Sequence, residues 1–297
     1  MPTSEAKVMI LKTSYRTLYE KLKKALQSYQ LPDLDSDSTI SIKINLCDAR
    51  PPDSGAITHP LFLDKLLRIL REEYEDKVII NVVESDASVA MPDLFIEWFG
   101  LMNVIKKWDA KYVNLSQDEI EYKQSNGDVL KEVPVPKTLA ETDFFISAPK
   151  LKINSLTKVS CCLKNQFGCL PIVRKSRYHG VVDSVIAEIN TVMRPDLCIV
   201  DGILSHVGIQ GPAFGYPIRS NLVLVGNDPV ALDAIAAKIL GFNPKSITHI
   251  LKCQEMKIGS MDYQITGDLK DICQIYKPNK MEWTMHRFAS WLRKKVA

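Results

Sequence analysis

The chain has 297 residues, of which 46% are hydrophobic and 25% are charged, and its formal net charge is +3. Such a chain buries one large core or two modest ones, and its small net charge excludes a general nucleic-acid-binding protein while allowing a local anion site. No apolar run approaches the ~20 residues of a membrane span, and the first residues lack the cationic-then-apolar order of a signal peptide.

The first half of the chain alternates apolar runs with amphipathic runs. This periodicity predicts strands at 8–12, 39–45, 78–85, 111–116 and 143–150, and helices at 15–29, from Pro60 onward and at 92–108. A hairpin closed near Asn126-Gly127 is predicted before the last of these strands. The β-α-β-α order indicates a parallel, doubly wound sheet.

A second α/β run follows. The pattern predicts a helix at 185–193, strands at 197–203 and 221–226, and a helix that is capped by Asn227 or Asp228 and ends at Gly241. Between the two strands, Gly208, Gly211 and Gly215 allow a close approach of the backbone to another group. We therefore expect two α/β lobes with mostly parallel sheets, residues 1–190 and 191–297, with a cleft between them.

The C-terminal segment from Trp283 to Val296 is predicted to be a basic amphipathic helix, with Met285, Phe288 and Leu292 at helical spacing. Packing onto the body is favoured over membrane contact for such a stripe. The seven cysteines are an odd number for a disulfide framework, so we expect reduced thiols in a cytoplasmic protein. No CxxCxxC run is present, so the sequence encodes no ferredoxin-type cluster.

One segment, 144–182, is basic and contains neither Asp nor Glu, although it has seven of the 38 Lys and Arg residues. A solvated surface is expected to mix both signs of charge, so this segment is predicted to face an anion. The alternative is a run of basic surface loops. Against it, the lysines lie among apolar and small residues, as in PKLKIN and SCCLKNQFG.

Polar side chains also follow three predicted strands. They are Lys43, Asn45, Asp48 and Arg50, then Glu84, Ser85 and Asp86, then Lys150, Lys152 and Asn154. Ligands of doubly wound sheets bind outside the carboxyl ends of the strands, so these groups are predicted to converge on one edge.

Several motifs carry a resemblance to a known family. They are KINL…THP (43–60), PKLKIN (149–154), CLKNQFG (162–168), YHG (178–180), IVDGI (199–203), GIQGPAFG (208–215) and NDPVALDAIAAKILG (227–241). In order and spacing they resemble the domain-of-unknown-function 362 family, from about residue 40 to 270. Many members of that family add a ferredoxin-like domain.

The chain more distantly resembles the nickel-dependent lactate racemases. In those enzymes a lysine tethers a pyridinium-thiocarboxylate pincer nucleotide and a later histidine ligates its nickel, roles that the resemblance assigns to Lys164 and His179. The racemases have a histidine ten residues before the lysine, where this chain has Asn154. The Asp-x-x-Arg-Pro loop of the racemases is one residue shorter here, as Asp48-Ala49-Arg50-Pro51. The resemblance implies two α/β lobes with a cleft and a nickel-pincer nucleotide or a divalent metal as cofactor.

Two residues are candidates for the reacting centre. Burial in a cleft would lower the pKa of Lys164 and make it a base, a nucleophile or an anion clamp; the alternative is a lysine that reaches the surface. His179 is the preferred acid/base or metal ligand among the histidines, because the cations before it disfavour its protonated form. The alternative is a structural histidine.

The candidate substrate-binding residues surround these two. They are Lys43, Asn45, Asp48, Arg50, His59, Lys150, Lys152, Asn154 and Asn165. His59 lies at a helix start, where a cap by Thr58 explains the segment equally well. Glu84 and Asp86 are weaker candidates for a divalent metal, because no third ligand is fixed by spacing. Core thiols are favoured over metal ligands for Cys161, Cys162 and Cys169.

Three functions remain open from the sequence. The first is an enzyme that moves a proton or hydride next to the carboxylate of a small anionic substrate, as in racemisation. The second is a non-enzymatic carrier or sensor of a nucleotide or metal cofactor. The third is an accessory subunit of a redox protein partner.

Overall fold

A computed structural model describes most of the chain. The described residues are 6–87, 90–208, 215–268 and 274–277, together with Met281, Thr284, Phe288 and Trp291. Within them, no helix combines the length and apolar character needed to cross a membrane.

The strands in this part of the chain form one large sheet and one hairpin. In chain order they are β1 Ala6–Lys12, β2 Thr39–Lys43, β3 Ile79–Glu84, β4 Lys111–Asn114, β5 Ile120–Gln124, β6 Glu132–Pro136, β7 Phe144–Ser147, β8 Lys150–Asn154, β9 Lys158–Ser160, β10 Leu197–Val207, β11 Tyr216–Gly226 and β12 Tyr263–Gly267.

The helices alternate with these strands. They are α1 Leu18–Tyr29, α2 Pro60–Tyr74, α3 Pro92–Trp98, α4 Leu101–Lys107, α5 Lys137–Ala140, α6 Cys162–Asn165, α7 Val182–Val192, α8 Pro229–Ile239 and α9 Thr248–Glu255. Short 3-10 segments cover Pro52–Ser54, Gln166–Cys169, Lys175–Val181 and Pro244–Ser246.

The large sheet has ten strands, eight of them in the order β12-β1-β11-β10-β7-β2-β3-β4. β11 runs antiparallel to both of its neighbours, whereas β2 runs parallel to β3 and β7. β8 follows β7 along the same side of β10, pairs with a later part of β10, and also pairs with β9. The prediction of an α/β fold with a mostly parallel sheet is confirmed. Strands from 1–190 and 191–297 share this sheet, and the division into two domains stays a prediction.

Helices cover both faces of the sheet. Along β10, Leu197 and Ile199 pack in one apolar cluster with α1 to α4, while Cys198 and Val200 pack in another with α7 to α9. This alternation follows from the two-residue period of a strand. On β2 the same period places Lys43 on the face opposite Ile42, which directs its amino group toward the segment after α6.

The structure changes some predicted boundaries. The helix predicted over 92–108 is two helices, because Gly100 between them has a φ of 72°, which is incompatible with a continuous right-handed helix. β10 and β11 extend beyond 197–203 and 221–226, since they pair along most of their length. The predicted hairpin is present as β5 and β6.

The remaining predictions concern the cap of α8, the glycines between β10 and β11, and the C-terminal helix. Asp228 caps α8 by accepting from the backbone N–H groups of Val230 and Ala231. Gly208 and Gly215 have φ values of 105° and 103°, whereas Gly211 lies outside the described residues. In the predicted C-terminal helix, Trp283, Met285 and Leu292 also lie outside them. Phe288 is helical, but it is 61% exposed instead of packed against the body.

Candidate functional site

The ammonium of Lys152 is fixed at the carboxyl end of β2. It donates to Oδ1 of Asn45 at 2.6 Å and to the carbonyl oxygen of Ala56 at 2.7 Å, and it lies 3.3 Å from Sγ of Cys47. Lys152 is 8% exposed, whereas Cys47 is exposed. Because a thiol is a weak acceptor, this third contact is the one that a ligand from solvent can replace.

Lys164 lies on the short helix α6, and Asp233 of α8 holds the start of that helix. One carboxylate oxygen of Asp233 accepts from the backbone N–H of Cys162 at 2.7 Å and lies 3.4 Å from that of Leu163. Lys164 itself is half-buried, and its Nζ is 5.4 Å from the ring centroid of Phe167. Its Nζ has no hydrogen bond or ion pair with another residue of the described part of the chain.

The charge of Lys164 is set by its surroundings. Burial, together with the charge of the Lys152 ammonium, lowers the pKa of its amino group to about 8, against opposing effects of Cys47 and Asp183. At pH 7, an amine with this pKa is neutral in roughly a tenth of the molecules. The charges of Lys152 and Cys47 therefore act on the amino group of Lys164.

Lys150 lies in a separate cluster that is closed to solvent. Its Nζ donates to Oδ2 of Asp201 at 2.6 Å, and both side chains are 0% exposed. The hydroxyl of Tyr15 lies 3.1 Å from this Nζ and 3.3 Å from both oxygens of Asp201. Burial lowers the pKa of Lys150, although the charge of Asp201 opposes the shift. Burial and the charge of Asp201 both raise the pKa of Tyr15.

Lys43 forms a second buried ion pair. Its Nζ is 2.6 Å from Oε1 of Glu84, whose Oε2 accepts from the backbone N–H of Leu46 at 2.7 Å. The backbone of Gly168 lies against the amino group of Lys43, since a Cβ at residue 168 would be 2.7 Å from Lys43 Nζ. Asn165 joins the same region by donating to the carbonyl of Lys43 at 3.0 Å.

Arg50 is the third predicted cation that pairs with a carboxylate of the chain. It forms a bidentate pair with Asp48, with Nε to Oδ1 at 3.0 Å and Nη2 to Oδ2 at 2.7 Å. Its Nη1 lies 2.7 Å from Nε2 of His206, whose Nδ1 lies 2.7 Å from the carbonyl of Ser54. A guanidinium only donates and a carbonyl only accepts, so these contacts assign the proton of a neutral imidazole to Nδ1.

The five predicted cations therefore divide into two groups. Lys43, Arg50 and Lys150 each pair with a carboxylate. Lys152 and Lys164 have no carboxylate within ion-pair distance among the residues that the structure describes. The local excess of positive charge available to an anion is thus concentrated on these two lysines.

Two other candidates have local roles. His59 itself caps α2, because its Nδ1 accepts from the N–H of Leu61 at 3.1 Å, and its ring stacks on Tyr15 at 4.1 Å between centroids. Thr58 does not cap this helix; it bonds instead to Asn45 and Ala148. Asn154 Oδ1 accepts from the N–H of Leu156 at 3.0 Å, in the turn that joins β8 to β9.

The remaining candidates lie around the 3-10 segment Lys175–Val181. His179 is half-buried within it. Lys175 is buried and donates to Oγ of Ser85 at 2.8 Å and to the backbone carbonyl of Asp86. Oδ1 of Asp86 accepts from Asn114 at 3.1 Å. The acid/base role of His179 stays a prediction.

The oxygens of Glu84 are not available to a divalent metal. Glu84 uses its carboxylate oxygens on Lys43 and on backbone N–H groups. In the described ranges, three His, Cys, Asp or Glu donors come within 4.8 Å of one another only at Cys161, Cys162 and Asp233. Burial raises the pKa of the Cys161 thiol to about 11, which favours a neutral core thiol.

Some residues of this region were not among the predicted site residues. They are Tyr15, Cys47, Lys175, Asp201 and His206. Cys47 carried a usable signal, since it lies between Asn45 and Asp48 in the loop after β2. His206 carried none, because β10 was predicted to end at residue 203.

Comparison with known proteins finds similarity to a solved structure and to a curated protein. The lactate racemase apoprotein from Thermoanaerobacterium thermosaccharolyticum matches with a TM-score of 0.47 and 9% sequence identity, over 79% of this chain and 57% of that chain. The thylakoid-associated protein sll1697 of Synechocystis is 30% identical over 152 residues. That match covers 49% of this chain, and the chain spans about half the length of the relative, 47%.

The sequence also matches a family model. The model is described as "Domain of unknown function (DUF362)", and the match covers residues 40–238, which is more than half of the chain. It includes the loop after β2, the strand β8 and the helix α6, and therefore all the residues of the Lys152 and Lys164 site. The chain belongs to the DUF362 family, as its motifs predicted.

Proposed function

We propose that the site formed by Lys152, Lys164, Asn45 and Cys47 binds a small carboxylate, and that Lys164 moves a proton at the carbon next to it. The observation that supports this proposal is the amino group of Lys164. It has a pKa of about 8 and no hydrogen-bond partner among the described residues, and the charge of the fixed Lys152 ammonium acts on it.

Lys152 is the carboxylate-binding residue of the proposal. Its bonds to Asn45 and Ala56 fix the direction of the third N–H, and a carboxylate oxygen takes the place of Cys47 Sγ as acceptor. A charged acceptor gains more from this contact than the thiol does. The same ammonium then stabilises the negative charge that develops on the carboxylate when the neighbouring carbon loses its proton.

Lys164 is the base. Its neutral amine takes the proton from the carbon and becomes an ammonium, while the electron pair of the broken C–H bond delocalises into the carboxylate. Once the Lys164 ammonium has traded this proton for one from solvent, return to the same face gives exchange, and delivery of a solvent-derived proton to the opposite face gives racemisation. We assign that second delivery to His179, the other acid/base candidate from the sequence.

Solvent exchange tests the proposal directly. In D₂O, small 2-hydroxy and 2-amino carboxylates are expected to lose their α-proton signal with the protein present, as followed by proton NMR. Lys164→Met is expected to lower the exchange rate at least ~100-fold, the usual contribution of general acid–base catalysis. Lys123→Met, at an exposed lysine of β5, is the matched control and is expected to exchange normally. Exchange that survives in Lys164→Met would refute the assignment.

The pH dependence is a second prediction. The neutral amine is the active form, so the exchange rate is expected to rise with pH and to level off above an apparent pKa of about 8. In Lys152→Met, loss of the neighbouring charge is expected to move this midpoint upward and to weaken carboxylate binding. The pH–rate profile, with affinity from isothermal titration, measures both effects. A midpoint that does not move would mean that the lysines are not coupled.

Binding and turnover are separable in the same experiments. Binding that depends on Lys152, without any exchange, would replace the enzymatic proposal by that of a carrier. Absence of binding to every carboxylate would remove both.

A further inference from the structure

The C-terminal segment presents an apolar face to solvent. Met281, Thr284, Phe288 and Trp291 each have helical backbone, and their spacing of three, four and three residues places them on one side of a helix. Met281, Phe288 and Trp291 are 65%, 61% and 51% exposed. The rings of Phe288 and Trp291 stack at 5.9 Å between centroids, so the two aromatics form one patch.

This segment starts from a fixed point on the body. The backbone N–H of Ile275 donates to the carbonyl of Ile239 at the end of α8, at 2.9 Å. Ile275 and Tyr276 also pack against the core cluster that includes α7 to α9. The exposed patch therefore begins only a few residues beyond an anchored stretch of chain.

The sequence around the patch is strongly basic. Residues 277–297 contain six Lys or Arg residues and one acidic residue, Glu282. An apolar aromatic stripe combined with cationic side chains is typical of helices that lie in the surface of an anionic bilayer. Trp and Phe favour the boundary between headgroups and acyl chains, where the ring is buried and the charges stay in water.

Other occupants fit these features less well. A nucleic acid would use the positive charge but would leave the aromatic patch exposed, since the patch lies on a helix face and not in a groove that stacks bases. A second copy of the chain would bring two basic segments together, which like-charge repulsion opposes. An anionic lipid surface satisfies both the apolar and the cationic groups.

We propose that the face formed by Met281, Phe288 and Trp291 docks the protein onto the surface of an anionic lipid bilayer. In the bound state the aromatic rings insert at the level of the headgroups, and the positive charge of the segment is attracted to the lipid phosphates. This peripheral binding is independent of the chemistry at Lys164.

Vesicle co-sedimentation of the full chain tests the proposal. The protein is expected to sediment with vesicles of phosphatidylglycerol and phosphatidylcholine but not with phosphatidylcholine alone, and added salt is expected to release it. Phe288→Glu and Trp291→Glu are each expected to weaken binding at least tenfold. Trp98→Glu is the matched control, because Trp98 is 66% exposed on α3, and it is expected to bind as the unmodified protein does.

Three results would overturn the proposal. They are sedimentation that is equal with both kinds of vesicle, binding that Phe288→Glu and Trp291→Glu leave unchanged, and failure to bind vesicles at all. Analytical ultracentrifugation without lipid distinguishes self-association: a dimer that these variants dissociate would assign the face to a second copy instead.

Discussion

Replacing Lys150 by Met is expected to lower the free energy of unfolding by about 3–5 kcal/mol, the range for removing one partner of a buried ion pair. Lys150 and Asp201 are both 0% exposed and 2.6 Å apart. Among the described residues, the variant leaves the buried carboxylate of Asp201 with the hydroxyl of Tyr15 and the backbone N–H groups of Ile203 and His59 as its hydrogen-bond partners. Urea unfolding followed by circular dichroism measures the change.

Two further variants establish that the loss comes from the uncompensated charge. Lys150→Met combined with Asp201→Leu removes both charges and is expected to recover at least about half of the lost stability, because apolar replacement of a buried pair is often nearly neutral. Lys137→Met breaks the pair with Glu119, whose side chains are 42% and 78% exposed, and is expected to leave the midpoint unchanged. A double variant less stable than Lys150→Met would contradict this account.

The sequence predicted which polar groups lie at the strand ends, but it did not predict these ion pairs. The strand ends that bring polar groups together were predictable, because periodicity gives the strands and parallel order places their carboxyl ends on one edge. The pairing of charges was not. Lys150 and Asp201 are 51 positions apart, and no local pattern shows that they meet across β8 and β10.

The basic segment illustrates the same limit. Its lack of acidic residues favoured an anion as the partner of Lys150, but the carboxylate comes from Asp201, outside the segment. Local composition thus gives the net charge of a segment, but it does not show which charged groups from other parts of the chain lie beside its side chains. Lys152 and Lys164 were predicted on the same evidence, and they differ only because no carboxylate from a distant strand reaches them within the described residues.

The second large effect on stability concerns His249, a buried histidine near Asp233 of α8. His249 is 0% exposed, with Nδ1 3.5 Å from Asp183 and Nε2 3.7 Å from Asp233, distances that indicate ion pairs rather than hydrogen bonds. Burial alone would lower the pKa of His249, but the two carboxylates outweigh it and raise the pKa above its ordinary value. Asp233 therefore has two functions, since it also caps the helix that carries Lys164.

Asp233→Asn is expected to destabilise the protein by about 2–3 kcal/mol near pH 6, less than a tightly bonded buried pair because the contacts are long. The amide oxygen still caps Cys162, so this loss reports the charge. Asp233→Ala removes the cap as well and is expected to cost about 1 kcal/mol more. Asp262→Asn, at an exposed aspartate, is the matched control and is expected to change nothing measurable.

The pH dependence identifies His249 as the titrating group. Because its pKa is higher in the folded than in the unfolded chain, its contribution is fully present below its ordinary pKa of 6.5 and is lost as pH rises through the folded value. The stability of the unmodified protein is therefore expected to contain a component that declines over that interval. Asp233→Asn, which lowers the pKa of His249, and His249→Gln, which removes the group, are both expected to flatten it. A decline that persists unchanged in His249→Gln would assign the titration to another residue.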